Sequence, residues 1–464
     1  MHKLLILPIL LLVCVVSWAN GTRNFYVNSF SESKVADGSI ESPFRNLNDL
    51  EKIKFLPGDC IHLAGNQILT GTIRIRDLIA TPEKPLTVTS YGTGIAHIYS
   101  ADASAIMIEG CENIHVKNVL VKGSGRKKGN TGTGVEIINS RFIEIDGVEA
   151  SGYQMNGIGI VGGGDIRITN SYVHDNGYNG IEVTSKWGTK SVHNVYIGYC
   201  VAENNAGSPA ILDNHSGSGI LVGHVTNALI EYCEAMGNGW DMPRSGNGPV
   251  GIWGYEADRL TIQYCFSHNN KTSPKGLDGG GFDFDGGITN SLMQYNLAMD
   301  NEGAGYGLFQ FGGATEWNNN IIRNNVSIND GIKNSHAGIY VWCDPYNKNI
   351  PLCDTKVTDN LIISNQGHSI SFNTGFSSGL EFSNNTFVLT DEGMEHLHGD
   401  ETKGMAVYRG NRFWSEAAER QGKPQPQVSG DPEASYGKVE YTLPMNIDIL
   451  RLKDIISGLL TQKR

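Results

Sequence analysis

The chain has 464 residues, of which 39% are hydrophobic, 18% are charged and 58 are glycine. It is too apolar and too rich in aromatic side chains to be disordered, and its glycines follow no three-residue period, which excludes collagen. The formal net charge of −12 argues against a surface that neutralises nucleic-acid phosphates, so we expect no nucleic-acid partner.

The first residues have the pattern of a secretory signal. A short positive start precedes an apolar run and a small-x-small cleavage site at 17–19. We therefore expect residues 1–19 to be removed and the protein to be secreted or periplasmic. The apolar run is shorter than a membrane span and no second one follows, so no membrane insertion is predicted. Cys14 leaves a lipoprotein anchor open as the less favoured alternative.

A repeat organises the rest of the chain. Two columns of similar residues recur at intervals of roughly 30 residues. The first column runs through Asn118, Gly147, Asn170, Cys200, Cys233, Cys265, Asn296, Asn325, Asn360, Asn385 and Asn411. The second consists of short glycine-led strands that begin at Gly157, Gly180, Gly219, Gly251, Gly281, Gly307 and Gly338.

These columns predict an all-β, single-stranded, right-handed parallel β-helix of about eleven coils. No long segment of helical period separates the short strands, which excludes a βαβ fold. Strands this short bury their apolar face only if each pairs with its counterpart one coil away. Asparagine suits a stacked turn position, because it tolerates left-handed backbone and its amide can bond to the amide of the next coil. We interpret the three cysteines of the first column as buried structural thiols.

Both ends of the solenoid need a cap, because an open β-helix exposes strand edges. Residues 44–56 have helical spacing and predict an N-terminal helical cap. We expect the β-helix domain to span 20–414, including that cap, and residues 415–464 to form a C-terminal tail and capping segment. A short terminal helix is predicted at 446–460.

Strand alternation predicts which side chains of the second column point away from the interior. Residues two and four positions after each glycine are expected to face solvent. In three neighbouring coils these positions hold aromatic residues, namely Trp253, Tyr255, Phe309, Phe311, Tyr340 and Trp342. Aromatic rings in an exposed row suggest an interface, and pyranose rings have apolar faces that stack on them. The alternative is that a loop or the C-terminal tail covers the row as a satellite core.

The coil between the aromatic ones presents two carboxylates, Asp283 and Asp285. Their Cα atoms stand roughly 6.5–7 Å apart on one strand face, which suits a glycosidase pair but does not decide between retention and inversion. Glu302 is the candidate third carboxylate. On the rim loops, His336 is a candidate for orienting substrate or tuning an acid, and Arg244 for binding substrate. A calcium site or simple solubilisation is the alternative reading of the Asp pair.

The chain resembles secreted bacterial β-helix carbohydrate-active proteins of the pectate-lyase-like superfamily. Residues 25–66 look like the N-terminal capping segment of those proteins, and residues 278–309 are similar in rhythm to the core of family 9 pectate lyases. That resemblance implies an Asp cluster that binds calcium and a lysine base. The sequence departs from it, with glycine and alanine where the second half of the cluster would stand and no lysine on the strand face.

We therefore expect a secreted polysaccharide-degrading enzyme, in first place a glycoside hydrolase that uses paired carboxylates in an aromatic-lined groove. A polysaccharide lyase or epimerase acting on a uronic-acid glycan is the first alternative, and Lys271 and Lys275 on the rim keep it open. A non-catalytic glycan-binding β-helix is the second. We expect an oligo- or polysaccharide substrate, a monomer, and no cofactor or metal, with a structural or catalytic calcium left open. The sugar, the linkage and exo or endo action stay undetermined.

Overall fold

The structure is a computed structural model that describes residues 22–127, 129–334, 336–344, 350–374, 377–399, 406–443 and 447–462. The predicted signal at 1–19 and Cys14 lie outside the described residues. The chain forms an all-β parallel solenoid of about 12 turns. Its strands pair in parallel with their counterparts one turn away and form three faces, which we call sheets 1, 2 and 3.

Three strands, β8 to β10, are long enough to bend from one face to the next, so that β8 and β10 belong to two sheets and β9 belongs to all three. Sheet 1 contains β1 (Asn24–Val27), β2 (Cys60–Ala64), β5 (Leu86–Tyr91), β8 (Glu112–Gly123), β9 (Val135–Ser151), β10 (Ile158–Thr169), β13 (Val192–Gly198), β16 (Val225–Glu231), β19 (Asp258–Gln263), β22 (Leu292–Gln294), β25 (Asn320–Arg323), β28 (Leu352–Thr358), β31 (Ser377–Ser383) and β34 (Ala406–Arg409). Sheet 2 contains parts of β8 and β9 with β3 (Ile68–Thr70), β6 (Ala96–Ala101), β11 (Tyr172–His174), β14 (Val201–Glu203), β17 (Glu234–Met236), β20 (Phe266–His268), β23 (Leu297–Met299), β26 (Val326–Ile328), β29 (Leu361–Ser364), β32 (Thr386–Leu389), β35 (Arg412–Ser415) and β36 (Ser435–Tyr436). Sheet 3 contains parts of β9 and β10 with β4 (Ile73–Arg76), β7 (Ile106–Glu109), β12 (Asn179–Thr184), β15 (Ser218–Gly223), β18 (Val250–Tyr255), β21 (Gly280–Asp285), β24 (Tyr306–Gln310), β27 (Ala337–Cys343), β30 (His368–Thr374) and β33 (Leu397–Gly399).

The interior is a stack of apolar side chains, one layer from each turn. In sheet 3, Ile220 pairs with Ile252, Ile252 with Phe282 and Phe282 with Tyr306, and all four are buried. The Phe282 and Tyr306 rings stack at 5.4 Å. Burying one such side chain stabilises the fold by roughly 1.5–3 kcal/mol, so each turn is held by the layers above and below it.

The predicted asparagine ladder is confirmed from Asn296 onward. The backbone N–H and the side-chain amide of Asn296 both donate to Oδ1 of Asn325, and Asn325 makes the same two bonds to Asn360. The ladder continues through Asn385 and Asn411 and ends at Asp431, whose carboxylate accepts the last pair. An aspartate suits the last rung because that position only has to accept.

The first column was misaligned by one residue at its beginning. Tyr172 pairs with Val201, so Ser171 and not Asn170 is the counterpart of Cys200. Asn170 instead has a left-handed φ of 50° and is equivalent to Tyr199, with a φ of 58°. Asn118 and Gly147 share this left-handed conformation. The turn therefore has two adjacent columns, a left-handed one that is exposed and a buried one that forms the ladder.

The cysteines of the column are buried, as predicted. Cys200, Cys233 and Cys265 are at most 1% exposed, and each thiol donates to backbone carbonyls of its own turn and of the preceding turn. Burial raises the pKa of the Cys200 and Cys233 thiols well above the ordinary value. These thiols fill the same turn position that asparagine fills further along the solenoid.

A second asparagine ladder, which the sequence analysis missed, lies at the turn between sheets 2 and 3. It runs through Asn176, Asn205, Asn238, Asn270 and Asn301 to Asp330, with the same paired bonds to each successive Oδ1. The loops that lead into sheet 3 begin directly after these residues. The ladder therefore gives each of those loops a fixed starting point.

The helices are short and lie at the two ends. In place of the expected helix over 44–56, the structure has a 3-10 helix at Leu47–Lys52, whose Leu47 and Leu50 are buried. Near the C-terminus, α1 (Glu416–Arg420), a 3-10 helix at Ile449–Arg451 and α2 (Leu452–Gln462) follow the solenoid. Among the described residues, none of the helices combines the length and the hydropathy that crossing a membrane requires.

Candidate active site

The outer face of sheet 3 carries two rows of side chains that run along the solenoid. The first row is Trp253, Asp283, Gly307, Tyr340 and Ser371, and the second is Tyr255, Asp285, Phe309, Trp342 and Asn373. The rows exist because the residues between them, such as Phe284 and Leu308, point into the core. Acids and aromatic rings therefore do share one face, as the sequence predicted.

The register of one turn differs from the predicted one. The sequence analysis aligned Gly307 with Gly281, but Phe282 pairs with Tyr306, so the strand equivalent to Gly281 begins at Gly305. A shift of two residues keeps the same side chains outward, because strands alternate with a period of two. It moves Phe309 beside Asp285 and places Gly307 beside Asp283. Phe311 lies beyond the end of β24.

These side chains form the floor of a pocket and not an open wall, which corrects the expectation of solvent-facing rings. Trp253, Asp283 and Phe309 are only 3%, 3% and 8% exposed, because loops between sheets 2 and 3 fold over them. The empty volume of the pocket, including its open mouth, is about 720 Å³. It is lined by His215, Asn247, Gly248, Val250, Trp253, Leu277, Asp278, Asp283, Asp285, Phe309, Phe311, His336, Tyr340, Trp342 and Asn373.

The loops that wall the pocket differ from turn to turn in length. They cover 204–217, 237–249, 269–279 and 329–336, of which Ser335 is outside the described residues. The first brings His215 against Trp253, with ring centroids 4.8 Å apart. The last brings His336 onto Tyr340, at 4.5 Å and 28° between ring planes. The first and the last of these loops thus each rest on an aromatic residue of the floor.

Three carboxyl groups meet in this pocket. Asp283 and Asp285 extend from β21, and Asp278 lies on the loop that leads into the same strand. Burial raises the pKa of Asp278 to about 6, although the Gly248 N–H donates to its Oδ2 at 2.6 Å. Burial also raises the pKa of Asp283 and of Asp285 well above the ordinary value, and the neighbouring carboxyls, with Asp278 acting on both, raise them further. The cluster therefore holds protons near neutral pH that separate carboxyls would lose.

Several buried polar atoms of the lining have no hydrogen-bond partner among the described residues. They are Oδ1 of Asp283, Nε1 of Trp253, Nδ1 of His215 and Nδ1 of His336. Buried polar groups in native proteins are nearly always satisfied by protein, water or ligand. Burial lowers the pKa of both histidines to about 4, so they face the pocket as neutral rings. The lining thus contains four polar atoms whose hydrogen bonds a polar ligand or water would satisfy.

Most of the predicted site residues come together here. Those that line the pocket are Trp253, Asp283, Asp285, Phe309, Phe311, His336, Tyr340 and Trp342. Tyr255 lies just behind, with its hydroxyl 3.3 Å from Thr184 Oγ1 and its ring 5.7 Å from Trp253.

Besides Tyr255, two of the predicted site residues lie outside the lining. Glu302 follows the last asparagine of the second ladder, and its carboxylate accepts from the Thr272 N–H and from Lys333 Nζ. Arg244 lies on the 237–249 loop and donates to the Asn247 carbonyl at 3.5 Å. The structure therefore does not bring Glu302 to the aspartate pair.

Asp278 and His215 also line the pocket, and the sequence analysis assigns neither of them a role in the site. Asp278 stands seven residues before Asp285 in a glycine-rich stretch, a pattern that by itself suggests a turn. Asp278 joins the aspartate pair because its loop folds back over the strand, and the sequence does not reveal the path of that loop. The proximity of an acidic residue to the start of an acidic strand was the one signal available.

The pocket aspartates supply the oxygen ligands that calcium prefers, but their carboxylates do not bring three ligand atoms within 4.8 Å of one another. Outside the pocket, ligand atoms of His368, Glu395 and His398 lie within 4.8 Å of one another. In that group, however, the Glu395 N–H donates to His368 Nδ1, and His398 Nδ1 contacts the Glu395 carboxylate. Both Nδ1 atoms are therefore already engaged by Glu395.

Comparisons with known proteins agree with the solenoid. A GH136 lacto-N-biosidase from Eubacterium ramulus has a TM-score of 0.59 and 17% identity, over 84% of this chain and 68% of that chain. A mannuronic acid specific family 6 polysaccharide lyase from the human gut microbiota has a TM-score of 0.52 and 11% identity, over 83% of this chain and 87% of that chain. At these identities the similarity is one of fold. No curated protein sequence matches the chain.

The family model described as "Right handed beta helix region" matches residues 96–239 and 210–387, which is more than half of the sequence. Those residues include the strands of sheet 3 from β12 to β30 and the loops that wall the pocket. The chain therefore belongs to the right-handed β-helix family.

Proposed function

We propose that the protein is a glycoside hydrolase that binds an uncharged glycan in the pocket of sheet 3. The observation that carries this proposal is the meeting of Asp278, Asp283 and Asp285 in a pocket lined with aromatic rings. Glycoside hydrolysis needs two carboxyl groups, one protonated acid and one ionised base or nucleophile. A crowded, buried set of carboxyls supplies both states at the same pH, because ionisation of one opposes ionisation of the next.

The pKa shifts suggest how the roles divide. The Gly248 N–H and the charge of Arg244 favour the ionised form of Asp278, whose pKa is about 6, and this suits a base or nucleophile at neutral pH. The acid then comes from Asp283 or Asp285, whose pKa values burial and the neighbouring carboxyls raise well above the ordinary value. Asp285 is half-buried whereas Asp283 is 3% exposed, so we assign the acid to Asp285 and the support of its proton to Asp283.

The lining favours an uncharged sugar. Aromatic faces attract the weakly positive C–H groups of a pyranose ring, and the unpartnered atoms of Trp253, His215 and His336 can bond to hydroxyls. Among the described residues of the lining, none is lysine or arginine. A lyase or epimerase must neutralise a uronate carboxylate and remove the proton beside it, and the polar groups that this lining offers for that are acids, neutral rings and the amides of Asn247 and Asn373. The lyase and epimerase alternatives are therefore less well supported.

The remaining expectations follow from this proposal. Loops wall the pocket on one side, which favours binding the end of a glycan chain over its middle. We also propose that the protein is secreted, acts as a monomer and needs no cofactor. A calcium ion held by the aspartate cluster is the alternative, and it predicts that a chelator abolishes activity.

The test is a screen for hydrolysis with uncharged and charged glycans. The uncharged set contains p-nitrophenyl glycosides of common sugars with lacto-N-tetraose, cellotetraose and galactotetraose, and the charged set contains polygalacturonate and alginate. We expect reducing ends from the uncharged set without the ultraviolet absorbance of an unsaturated uronate. Asp278→Asn and Asp285→Asn should each lower kcat/KM by about 10²–10⁴-fold, and azide should restore only the Asp278 variant, with Glu302→Gln as the control outside the pocket.

Two other outcomes would contradict the hydrolase proposal. Unsaturated products from alginate or polygalacturonate would replace the hydrolase with a lyase. Binding of a glycan without turnover, lost in Trp253→Ala but kept in Asp285→Asn, would make the protein a glycan-binding β-helix.

A further inference from the structure

Trp187 is a strongly exposed aromatic residue beside the pocket. Its side chain is 64% exposed, and it lies on the short loop 185–191 between β12 and β13. Single exposed apolar side chains are ordinary on a protein surface. This one differs because its loop is anchored and its ring is joined to the aromatic lining.

The loop is held by hydrogen bonds at both ends. Ser185 is buried, and its Oγ donates to the carbonyls of Thr189 and His224. Thr189 closes a turn with the Lys186 carbonyl through both its N–H, at 3.0 Å, and its hydroxyl, at 2.6 Å. Lys190 Nζ donates to the Gly287 carbonyl at 3.3 Å, and Gly287 lies two residues after Asp285, the last residue of the acid-bearing strand β21. The loop is thus tied to the acid-bearing turn.

The indole ring continues the aromatic lining outward. Its centroid lies 6.1 Å from Phe311, which lines the pocket, and 6.3 Å from Tyr255, to which it is nearly parallel at 24°. The edge of His224 supports it at 4.9 Å. The aromatic surface therefore runs without a break from the buried floor, past Asp285, to an open ring at the surface.

We propose that Trp187 binds a second pyranose ring, the one across the scissile bond from the ring held in the pocket. The inference rests on the proposed hydrolase function and names the part of the substrate that lies outside the pocket. A bound sugar ring would cover an indole face that is otherwise exposed to solvent. Tyr255, His224 and Phe311 already hold the indole in place, so little side-chain ordering is needed on binding. The protein then prefers oligosaccharides to substrates with a small leaving group.

The experiment compares two substrates that differ only in what reaches Trp187. Lacto-N-tetraose, cellotetraose and galactotetraose are first tested with the wild-type protein, and the tetrasaccharide that is cleaved becomes the first substrate. The second substrate is the glycosyl fluoride of the sugar unit that this cleavage releases. Fluoride leaves the outer position empty, so its hydrolysis reports on the pocket alone. We expect Trp187→Ala to lower the ratio of kcat/KM for the tetrasaccharide to kcat/KM for the fluoride by about 10-fold or more, mainly through KM, and Trp187→Phe to lower it less.

Trp240 provides the matched control. It is 45% exposed on the 237–249 loop, where Arg126 lies over its ring at 5.4 Å, and it does not line the pocket. Trp240→Ala should leave the ratio at its wild-type value. An equal loss on both substrates in Trp187→Ala, or no loss on either, would overturn the inference while leaving the hydrolase function intact.

A binding measurement distinguishes failure of the hydrolase proposal from failure of the inference about Trp187. If wild type cleaves none of the three tetrasaccharides, the hydrolase proposal fails, and calorimetric titration with the same three sugars decides the inference. Weaker binding to Trp187→Ala than to Trp240→Ala would still support a sugar position at Trp187. Equal affinities, or no binding to wild type, would reject it.

Discussion

At the scale of single residues, the site depends on what stands beside each aspartate. Gly307 pairs with Asp283, and a Cβ at position 307 would lie 2.9 Å from Asp283 Oδ1 and 2.8 Å from the Phe309 ring. The absence of a side chain there allows the Phe309 ring to lie over Gly307, next to Asp283 at the floor of the pocket. Asp285, one step nearer the mouth, stands between Tyr255 and Phe309.

The proton held by Asp278 predicts an unusual pH dependence of stability. Burial raises the pKa of this carboxyl to about 6 from 3.8, so the folded protein binds the proton more tightly than the unfolded chain does. Its contribution to stability is therefore complete below about pH 4 and is lost as the pH rises through about 6. Asp278→Asn keeps the neutral shape, so at pH 7 it should be more stable than wild type, by up to about 3 kcal/mol.

Guanidinium unfolding at pH 4 and pH 7 measures this difference. At pH 4 the two proteins should unfold at nearly the same denaturant concentration, because both then carry an uncharged group at 278. A variant that is less stable than wild type at pH 7 would contradict the assignment of Asp278 as a destabilised carboxyl. A gain in stability accompanied by a loss of activity is what a functional carboxyl in a buried pocket should show.

At the scale of elements, the two asparagine ladders hold successive turns in register. Each rung satisfies both the backbone N–H and the side-chain amide of the rung before it, and its own amide also donates to a carbonyl of the preceding turn, as Asn325 does to Met293 at 2.9 Å. The backbone at these turns is buried, so water cannot replace the bonds. The second ladder matters for function because the pocket loops start from it.

Removing one rung should destabilise the whole solenoid. Asn325→Ala would leave the backbone N–H and one of the two amide hydrogens of Asn296 without an acceptor, and would remove the amide that donates to the Met293 carbonyl. Since each buried unsatisfied group costs about 1–3 kcal/mol, we expect a loss of at least about 3 kcal/mol, measured by chemical denaturation. Asn319→Gly is the control, because Asn319 makes a similar amide bond to Asn290 on the exposed side and glycine accepts its φ of 52°.

Equal stabilities of the two variants would show that the ladder is not a stabilising element. A smaller loss for Asn325→Asp than for Asn325→Ala would support the view that the acceptor is the essential half of each rung. Aspartate already ends both ladders in the natural sequence, at Asp330 and Asp431.

At the scale of the whole molecule, the solenoid is covered by a separate C-terminal segment. On the outer side of sheet 2, buried residues such as Val326, Leu361 and Trp414 form an apolar cluster with Leu452 and Ile456 of α2. Without α2 this face would be exposed. The segment after the last turn therefore completes the fold on a face other than the one that carries the pocket.

Because α2 covers this face, replacing a buried aliphatic side chain of α2 should lower the stability more than replacing an exposed aliphatic side chain nearby in the sequence. Ile456→Ser places a hydroxyl in the apolar cluster and should lower the stability by about 2–3 kcal/mol, seen as a lower Tm and more light scattering on heating. Leu450→Ser alters a side chain that is 66% exposed and should leave both nearly unchanged. Equal Tm values for the two variants would mean that α2 does not stabilise the solenoid.

The period of the repeat determines which features of this protein could be predicted from its sequence. Strand alternation is local, so the inward and outward residues of sheet 3, including Asp283, Asp285 and the aromatic rows, could be identified from the sequence. The two-residue slip at Gly307 could not, because alternation is unchanged by a shift of two. The one-residue error at Asn170 arose because two adjacent turn columns both favour asparagine.

The sequence by itself determined the architecture, since a chain of short strands with turns at regular intervals buries its apolar residues by stacking parallel coils. It also determined that acids and rings share one face. Only the tertiary structure decided that loops close over that face, that Asp278 joins the aspartate pair, and that Glu302 stays with Lys333. These outcomes depend on how loops of irregular length fold back on the sheet, and such loops carry no periodic pattern from which their path could be read.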